Sequence, residues 1–245
     1  MQAPTFRARS VPELLDAAFQ VVRARFVALI LATLAINFPS MVVQLVLPDW
    51  ETLATSFVFL LQNLATAAVV LIVSDAYLGR EAGLEGVFRR AFARIGSLLG
   101  ASVVQTLLIV LGIFFCIVPG LIATIVTFAM PMAVVLEGAG AIASYRRSQV
   151  LARDQWARIA GSYLLVFLLG IASWIGFVAV TRLLAGEMVS RVAGVLVEPF
   201  CYLFTAVVGT LLYYDIRIRK EAFDIEMLLA EVDALAPAAG PVRDA

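Results

Sequence analysis

The sequence predicts an all-α polytopic integral membrane protein. Six transmembrane helices form three hairpins, each preceded by an amphipathic interfacial helix on the cytoplasmic side. Three observations predict this. Apolar residues make up 62% of the 245 residues and charged residues only 15%, whereas a soluble domain carries about 25% charged residues. Long apolar segments recur at 26–47, 52–78, 96–118, 121–136, 159–183 and 194–214, and about 20 such residues cross a bilayer. Sixteen of the eighteen Lys and Arg residues fall into four clusters separated by pairs of those segments: Arg7 to Arg25, Arg80 to Arg94, Arg146 to Arg158, and Arg217 to Arg243. Only Arg182 and Arg191 lie elsewhere. Short loops rich in Lys and Arg stay on the cytoplasmic side, so both termini are expected there.

The elements follow in order. Ser10 with Glu13 forms a capping box, and Pro12 is tolerated in a first helical turn. Val11, Leu14, Leu15, Ala18, Phe19, Val22 and Phe26 then share one helical face, opposite Glu13, Asp16, Gln20 and Arg23. The long first span has no small-residue cleavage site after it, which predicts an uncleaved anchor rather than a signal peptide. Pro48-Asp49-Trp50-Glu51 is a brief outer connection, with Trp50 at an interfacial position. Leu84, Val87, Phe88, Ala91, Phe92 and Ile95 make a second amphipathic face opposite Glu85, Arg89, Arg90 and Arg94. Pro119-Gly120 is a turn signal between spans three and four. Residues 140–158 give the third interfacial helix, with Ile142, Tyr145, Ala152, Trp156 and Ile159 opposite Arg146, Arg147, Arg153 and Arg158. Such helices are expected to lie in the interface plane, apolar face toward the membrane and arginines toward headgroups. Residues 185–193 join the last two spans.

The units resemble one another. Leu15-Asp16-Ala17-Ala18-Phe19 parallels Leu84-Glu85-Gly86-Val87-Phe88, and Ala24-Arg25 then meets Ala93-Arg94 without a gap. Phe92-Ala93-Arg94-Ile95 parallels Trp156-Ala157-Arg158-Ile159 after an insertion of two helical turns. One membrane domain over 1–221 is expected, with a threefold repeat at 10–79, 80–137 and 138–214. Residues 222–245 read as an acidic amphipathic helix and a flexible tail, suited to docking on the arginine-rich helices.

Composition excludes several chemistries. The chain has no histidine, which removes His-based acid–base catalysis and His-ligated metals. Nucleotide loops, metal-ligand spacings and paired carboxylates are absent from the sequence, so no enzyme activity, metal or cofactor is expected. Nor is there the basic footprint that nucleic acid requires. The two cysteines, Cys116 and Cys201, both fall in the outer halves of spans, where a buried thiol behaves as a small apolar group and where a pairing between them stays open.

Ionisable and polar groups within spans are the candidate site residues. Asp75 lies near the inner end of the second span, about one turn from Arg80, and is expected to pair with a nearby arginine at the interface. Glu198 precedes Pro199 and faces Arg191 or Arg182, and Glu137 ends the fourth span near Arg146 or Arg147. Pro39, Pro131 and Pro199 interrupt spans and free carbonyls, and Asn37 and Ser40 make the first of these breaks polar, as in transporters with broken helices. On the cytoplasmic face the candidates for a headgroup or a partner are Arg25, Arg89, Arg90, Arg94, Arg146, Arg147, Arg158, Arg217 and Arg219.

The stretch Leu211-Leu212-Tyr213-Tyr214-Asp215-Ile216-Arg217-Ile218-Arg219-Lys220-Glu221-Ala222-Phe223-Asp224 resembles the C-terminal motif of the family named for the membrane domain of glycerophosphoryl diester phosphodiesterase. Ala222 stands where that motif usually has Gly. Tyr77-Leu78-Gly79-Arg80 agrees with the family pattern, as does the run from Pro119-Gly120-Leu121 through Pro131 and Glu137-Gly138 to Arg147-Ser148. The resemblance implies a membrane module without its enzyme, since the phosphodiesterase chemistry of fused relatives belongs to a separate soluble domain. The expected function is a non-catalytic module or scaffold of the bacterial inner (cytoplasmic) membrane. Its arginine-rich face would bind membrane lipids, a protein partner or further copies of the chain. The alternatives are a small transporter or channel using the Pro-broken helices and, more remotely, a membrane enzyme acting on lipid headgroups.

Overall fold

The computed structural model describes residues 10–46, 51–80 and 83–221. The predicted acidic helix and tail at 222–245 lie outside the described residues, as do Arg7, Arg9 and Arg243. The chain is all-helical over what is described: α1 (Val11–Ala24), α2 (Phe26–Val46), α3 (Glu51–Tyr77), α4 (Leu84–Ala93), α5 (Ile95–Phe115), α6 (Ile117–Val126), α7 (Met130–Glu137) and α8 (Ala141–Ala152). A final helical run, Trp156–Glu221, is broken at Gly186, and its arms are α9 (residues 156–185) and α10 (residues 187–221). Five helical stretches are long and apolar enough to cross a membrane: Phe26–Gln44, Ile95–Phe115, Ile117–Glu137, Trp156–Ser190 and Val192–Glu221. Within α3, the stretch Leu61–Tyr77 is a shorter apolar helix.

α5 folds back on α6. Gln105 Nε2 donates to the Thr127 carbonyl at 3.4 Å, and a Cβ on Gly112 would sit 2.7 Å from the Gly120 nitrogen. The two backbones therefore touch, and only glycine fits. The turn itself differs from the expectation. It falls at Cys116, in extended backbone (φ −172°, ψ 153°), while Pro119 and Gly120 lie inside α6. Pro119 occupies the first helical turn, where its missing N–H costs nothing, and Gly120 is there for the close approach rather than for the turn.

The α9–α10 hairpin closes more tightly than expected. Residues 185–193 are not a loop. Gly186 alone reverses the chain at φ 85°, ψ −179°, a region essentially reserved for glycine. The arms run antiparallel: Ser190 Oγ donates to the Val178 carbonyl at 3.1 Å, and the Cys201 thiol lies 3.9 Å from the Gly170 carbonyl. Cys116 and Cys201 are both free thiols.

The core sits between the second half of α3 and α10, with α2, α7 and α1 around them. Ala67, Ala68, Val70 and Val73 on α3 and Val207, Leu212 and Tyr213 on α10 are fully buried. Of the three short helices, α1 carries the predicted capping box: the Ser10 amide donates to Glu13 at 2.7 Å, and the Glu13 amide donates back to Ser10 Oγ at 3.4 Å. Its apolar face packs on protein as well as facing outward. Leu14 and Ala18 are buried, and Phe19 meets Phe204 of α10 at 4.8 Å between rings. α1 ends at Arg25 (φ −115°, ψ 24°) and α4 at Arg94 (φ −105°, ψ 1°), so the chain bends in the same way before α2 and α5.

α8 departs from its predicted pattern. It stops at Ala152, a turn with Asp154 at φ 61° follows, and Trp156 opens α9. Its buried face is Ser144, Ser148, Leu151 and Ala152, while Ile142 is exposed. The serines face inward because backbone needs them. α6 and α7 are separated at 127–129, and Ser148 Oγ donates to the Val126 carbonyl at 2.6 Å while accepting from the Ala129 amide at 3.0 Å. Backbone groups at membrane depth must find protein partners, and one hydroxyl serves both sides of this break.

Candidate functional site at the arginine-rich end

Besides Glu221 at the end of α10, three carboxylates from α3, α7 and α10 reach the end of the bundle where α1, α4 and α8 also lie. These are Asp75, Glu137 and Asp215. Each meets arginine. Arg90 of α4 grips both oxygens of Asp75, at 3.3 and 2.5 Å. Asp75 is 5% exposed, while the Arg90 side chain stays 42% exposed. A nearby arginine is the expected partner, and Arg80 is the one a turn away. Arg80 instead donates its amide to the Asp75 carbonyl at 2.7 Å, capping α3 with backbone. The side-chain partner arrives from fifteen residues on, because α4 folds back over the end of α3.

Glu137 ends α7 and accepts from Arg147 of α8 at 2.7 to 2.9 Å. Of the two expected partners, Arg147 pairs and Arg146 stays outside. Arg147 also grips Glu221. Arg217 lies 2.9 Å from Glu221 and 4.0 Å from Glu137. The Tyr213 hydroxyl donates to Glu137, and Arg217 sits 5.8 Å over the Tyr213 ring. The bond to Glu221 holds the Arg147 guanidinium above its ordinary value, against partial burial and with Glu137 adding to it. Two arginines and two carboxylates thus balance in one cluster that ties α7, α8 and α10 together.

Asp215 is nearly buried and bridges Arg158 of α9 (3.3 Å) and Arg219 of its own helix (2.9 Å). Next to it the Tyr214 hydroxyl shares a 2.7 Å hydrogen bond with Ser74, and its ring stacks on Tyr77 at 4.8 Å. The Tyr213-Tyr214-Asp215 block therefore has three tasks on three sides of α10: Glu137, α3 and Arg158. Lys220, one turn on, donates to the Val150 and Arg153 carbonyls at the end of α8, where a cation complements the helix dipole.

The candidate arginines thus divide. Arg90, Arg147, Arg158 and Arg217 pair between helices, and Arg219 pairs with Asp215 of its own helix. Arg89, Arg94 and Arg146 are exposed, as is Arg23, and among the described residues none of these four has an ion pair. Arg94 lies on the C-terminus of α7: its Nη2 would be 2.9 Å from a Cβ on Gly138, whose φ is +72°. Arg25 is partly buried, and its Nε has no partner.

The intramembrane candidates are not brought together. Asn37 and Pro39 lie in α2, which stays helical through the proline. Asn37 Nδ2 donates to the Thr33 carbonyl at 2.8 Å and Ser40 Oγ to the Asn37 carbonyl at 2.7 Å, so both side chains serve their own helix. The space between Thr33, Gln62 and Ala206 is narrow, about 150 Å³, with no room for a water molecule. Pro199 likewise sits inside continuous helix; of the three prolines only Pro131 stands at a break, in the first turn of α7. Glu198 lies at the opposite end from the arginine clusters, in a cleft of about 410 Å³ with Arg182, Glu187 and Trp174. Among the described residues no ion pair joins Glu198 to Arg182, and the side chain of Arg191 lies outside them.

Sequence reasoning missed Ser74, Ser148, Tyr213, Tyr214, Lys220 and Glu221 as structural partners. A signal existed for some. Asp215/Arg219 and Arg217/Glu221 are i, i+4 pairs, and two tyrosines at the end of an apolar run have hydroxyls that need partners. Among the described residues no group of His, Cys, Asp or Glu is suited to hold a metal ion. No protein family, curated protein or solved structure matches this chain.

Proposed function

We propose that this chain is a non-catalytic membrane module: six spans in three repeated hairpins, both termini cytoplasmic, in the inner membrane of a bacterium. Its Tyr213-Tyr214-Asp215 block supports reading it as the membrane region of the family which that block resembles. The arginine-rich end carries the function, by holding anionic headgroups or an acidic partner. One observation carries this reading. Arginines at this end of the bundle split into those held in ion pairs and those, Arg23, Arg89 and Arg146, that stand exposed with no ion pair among the described residues. Juxtamembrane arginines contribute about 1 kcal/mol each toward an anionic membrane surface. The matching bends at Arg25 and Arg94 support the repeat, and the absence of histidine supports a non-catalytic role. A transporter would need a polar path to Asn37, and the packing beside Thr33 is closed.

The test uses the full chain in lipid nanodiscs. Replacing phosphatidylcholine with phosphatidylglycerol should raise the melting temperature of the wild type. An Arg23→Gln/Arg89→Gln/Arg146→Gln variant should melt like the wild type in phosphatidylcholine and lose the rise. An equal rise in both proteins would refute the role of these arginines. Orientation is read with the native thiol Cys116, which is exposed at the end remote from the arginines. An impermeant maleimide should label it from outside the cytoplasmic membrane.

A further inference from the structure

At the end of α8, a cleft of about 330 Å³ is lined by Gln149, Arg153, Trp156 and Val126. A second crevice of about 610 Å³ opens between α6, α9 and α10. Ile125, Gly161, Leu164, Phe167, Thr124 and Thr205 line it. Both threonine hydroxyls are donated to carbonyls of their own helices, Gly120 and Cys201. Trp156 of the cleft and Ala160 of the crevice stand one turn apart on the same face of α9, where residues four apart are neighbours, so cleft and crevice lie along one stripe of that helix.

We propose that this crevice is a binding site for one anionic glycerophospholipid, headgroup at Arg153 and one acyl chain along α9. This rests on reading the arginine-rich end as the headgroup side. Depth supports it. From Trp156 to Phe167 is eleven residues, about 16 Å of helix at about 1.5 Å rise. That is about half of a hydrocarbon core of about 30 Å, the depth of a single leaflet. Charge supports it as well. Arg153 is exposed and has no ion pair among the described residues. Arg158, Arg219 and Lys220 join it at this end of the bundle, against the carboxylates of Asp154 and Asp215. Trp156, 44% exposed at the mouth, stands where an indole ring belongs, at headgroup level. The surrounding solvent is lipid, so an apolar crevice opening sideways from a charged mouth is filled by a molecule with that same division.

Gly161 supplies the test. A Cβ there meets nothing within 4 Å, so Gly161→Phe fills the crevice without a backbone clash. The full chain is purified from membranes, delipidated and examined by native mass spectrometry with added phosphatidylglycerol or phosphatidylcholine. The wild type should retain one phosphatidylglycerol, preferred over phosphatidylcholine by about fivefold, the worth of one arginine beside an anionic headgroup. Gly161→Phe should lose the retained lipid with its melting temperature unchanged. Arg153→Gln should keep one lipid and lose the preference. Retention of no lipid by the wild type, or equal retention by Gly161→Phe, would overturn the site and leave only annular lipid. Arg23, Arg89 and Arg146 do not line the crevice. The nanodisc experiment therefore fails or succeeds independently of this one.

Discussion

α9 and α10 are the two arms of one hairpin, yet they live in opposite surroundings. The apolar 18-residue segment within Trp156–Ser190 has a mean hydropathy of 2.4 and is 6% buried, whereas that within Val192–Glu221 has 1.9 and is 50% buried. The other three spans fall between them in the same order, each step down in hydropathy bringing more burial. In a soluble protein the more apolar helix is the buried one. Here lipid tails are as apolar as leucine, so apolar side chains gain no hydrophobic advantage by moving inside. What goes inside is what lipid cannot satisfy: small residues, hydroxyls and paired charges. α10 carries Thr210, Tyr213, Tyr214 and Asp215, all buried. α9 presents Leu164, Phe167, Leu168, Ile171 and Ile175 outward.

Substitutions on the two arms separate them. Asp215→Ala leaves Arg158 and Arg219 without their shared carboxylate and should cost about 3–5 kcal/mol. The readout is denaturation in mixed detergent, and a cost below that of an exposed ion pair would show that α10 is not the anchor. Leu211→Ala, in the core of the same arm, should cost about 2–3 kcal/mol, since a packing void opens and is only partly refilled. Gly186→Ala forces a side chain into a backbone region that L-residues avoid and should cost about 1–2 kcal/mol. A neutral result there would mean the arms can meet through another turn. Leu168→Ala, half exposed on α9, should change stability by less than about 0.5 kcal/mol. A cost equal to that of Leu211→Ala would indicate that another chain covers α9.

Much of the architecture was legible because it follows from length, charge and capping. The capping box at Ser10 and Glu13 and the bends at Arg25 and Arg94 all lie where local sequence places them. The turns were less legible. Pro119-Gly120 looks like a reversal, but proline is equally at home in a first helical turn, and the chain turns at Cys116 instead. The polar stretch around Glu187 and Ser190 looks like a loop, but the chain stays helical there, with Ser190 Oγ bonded to the Val178 carbonyl of the facing arm. That Asp75 meets a nearby arginine was legible, but which one was not: only the return of α4 over α3 brings Arg90 to it. α8 was read from its apolar residues, yet its inward face is set by Ser148. Hydrogen-bond demand from a break in a different element leaves no periodic trace.

That serine has a consequence for how the chain is made. The Val126 carbonyl and the Ala129 amide belong to the candidate span Ile117–Glu137, but the hydroxyl that satisfies both belongs to residue 148. During synthesis, the chain as far as Ser148 must leave the ribosome before this span has all its partners. The α6–α7 span is therefore completed only by α8, and a chain arrested before Ser148 would hold an unfinished helix in hydrocarbon.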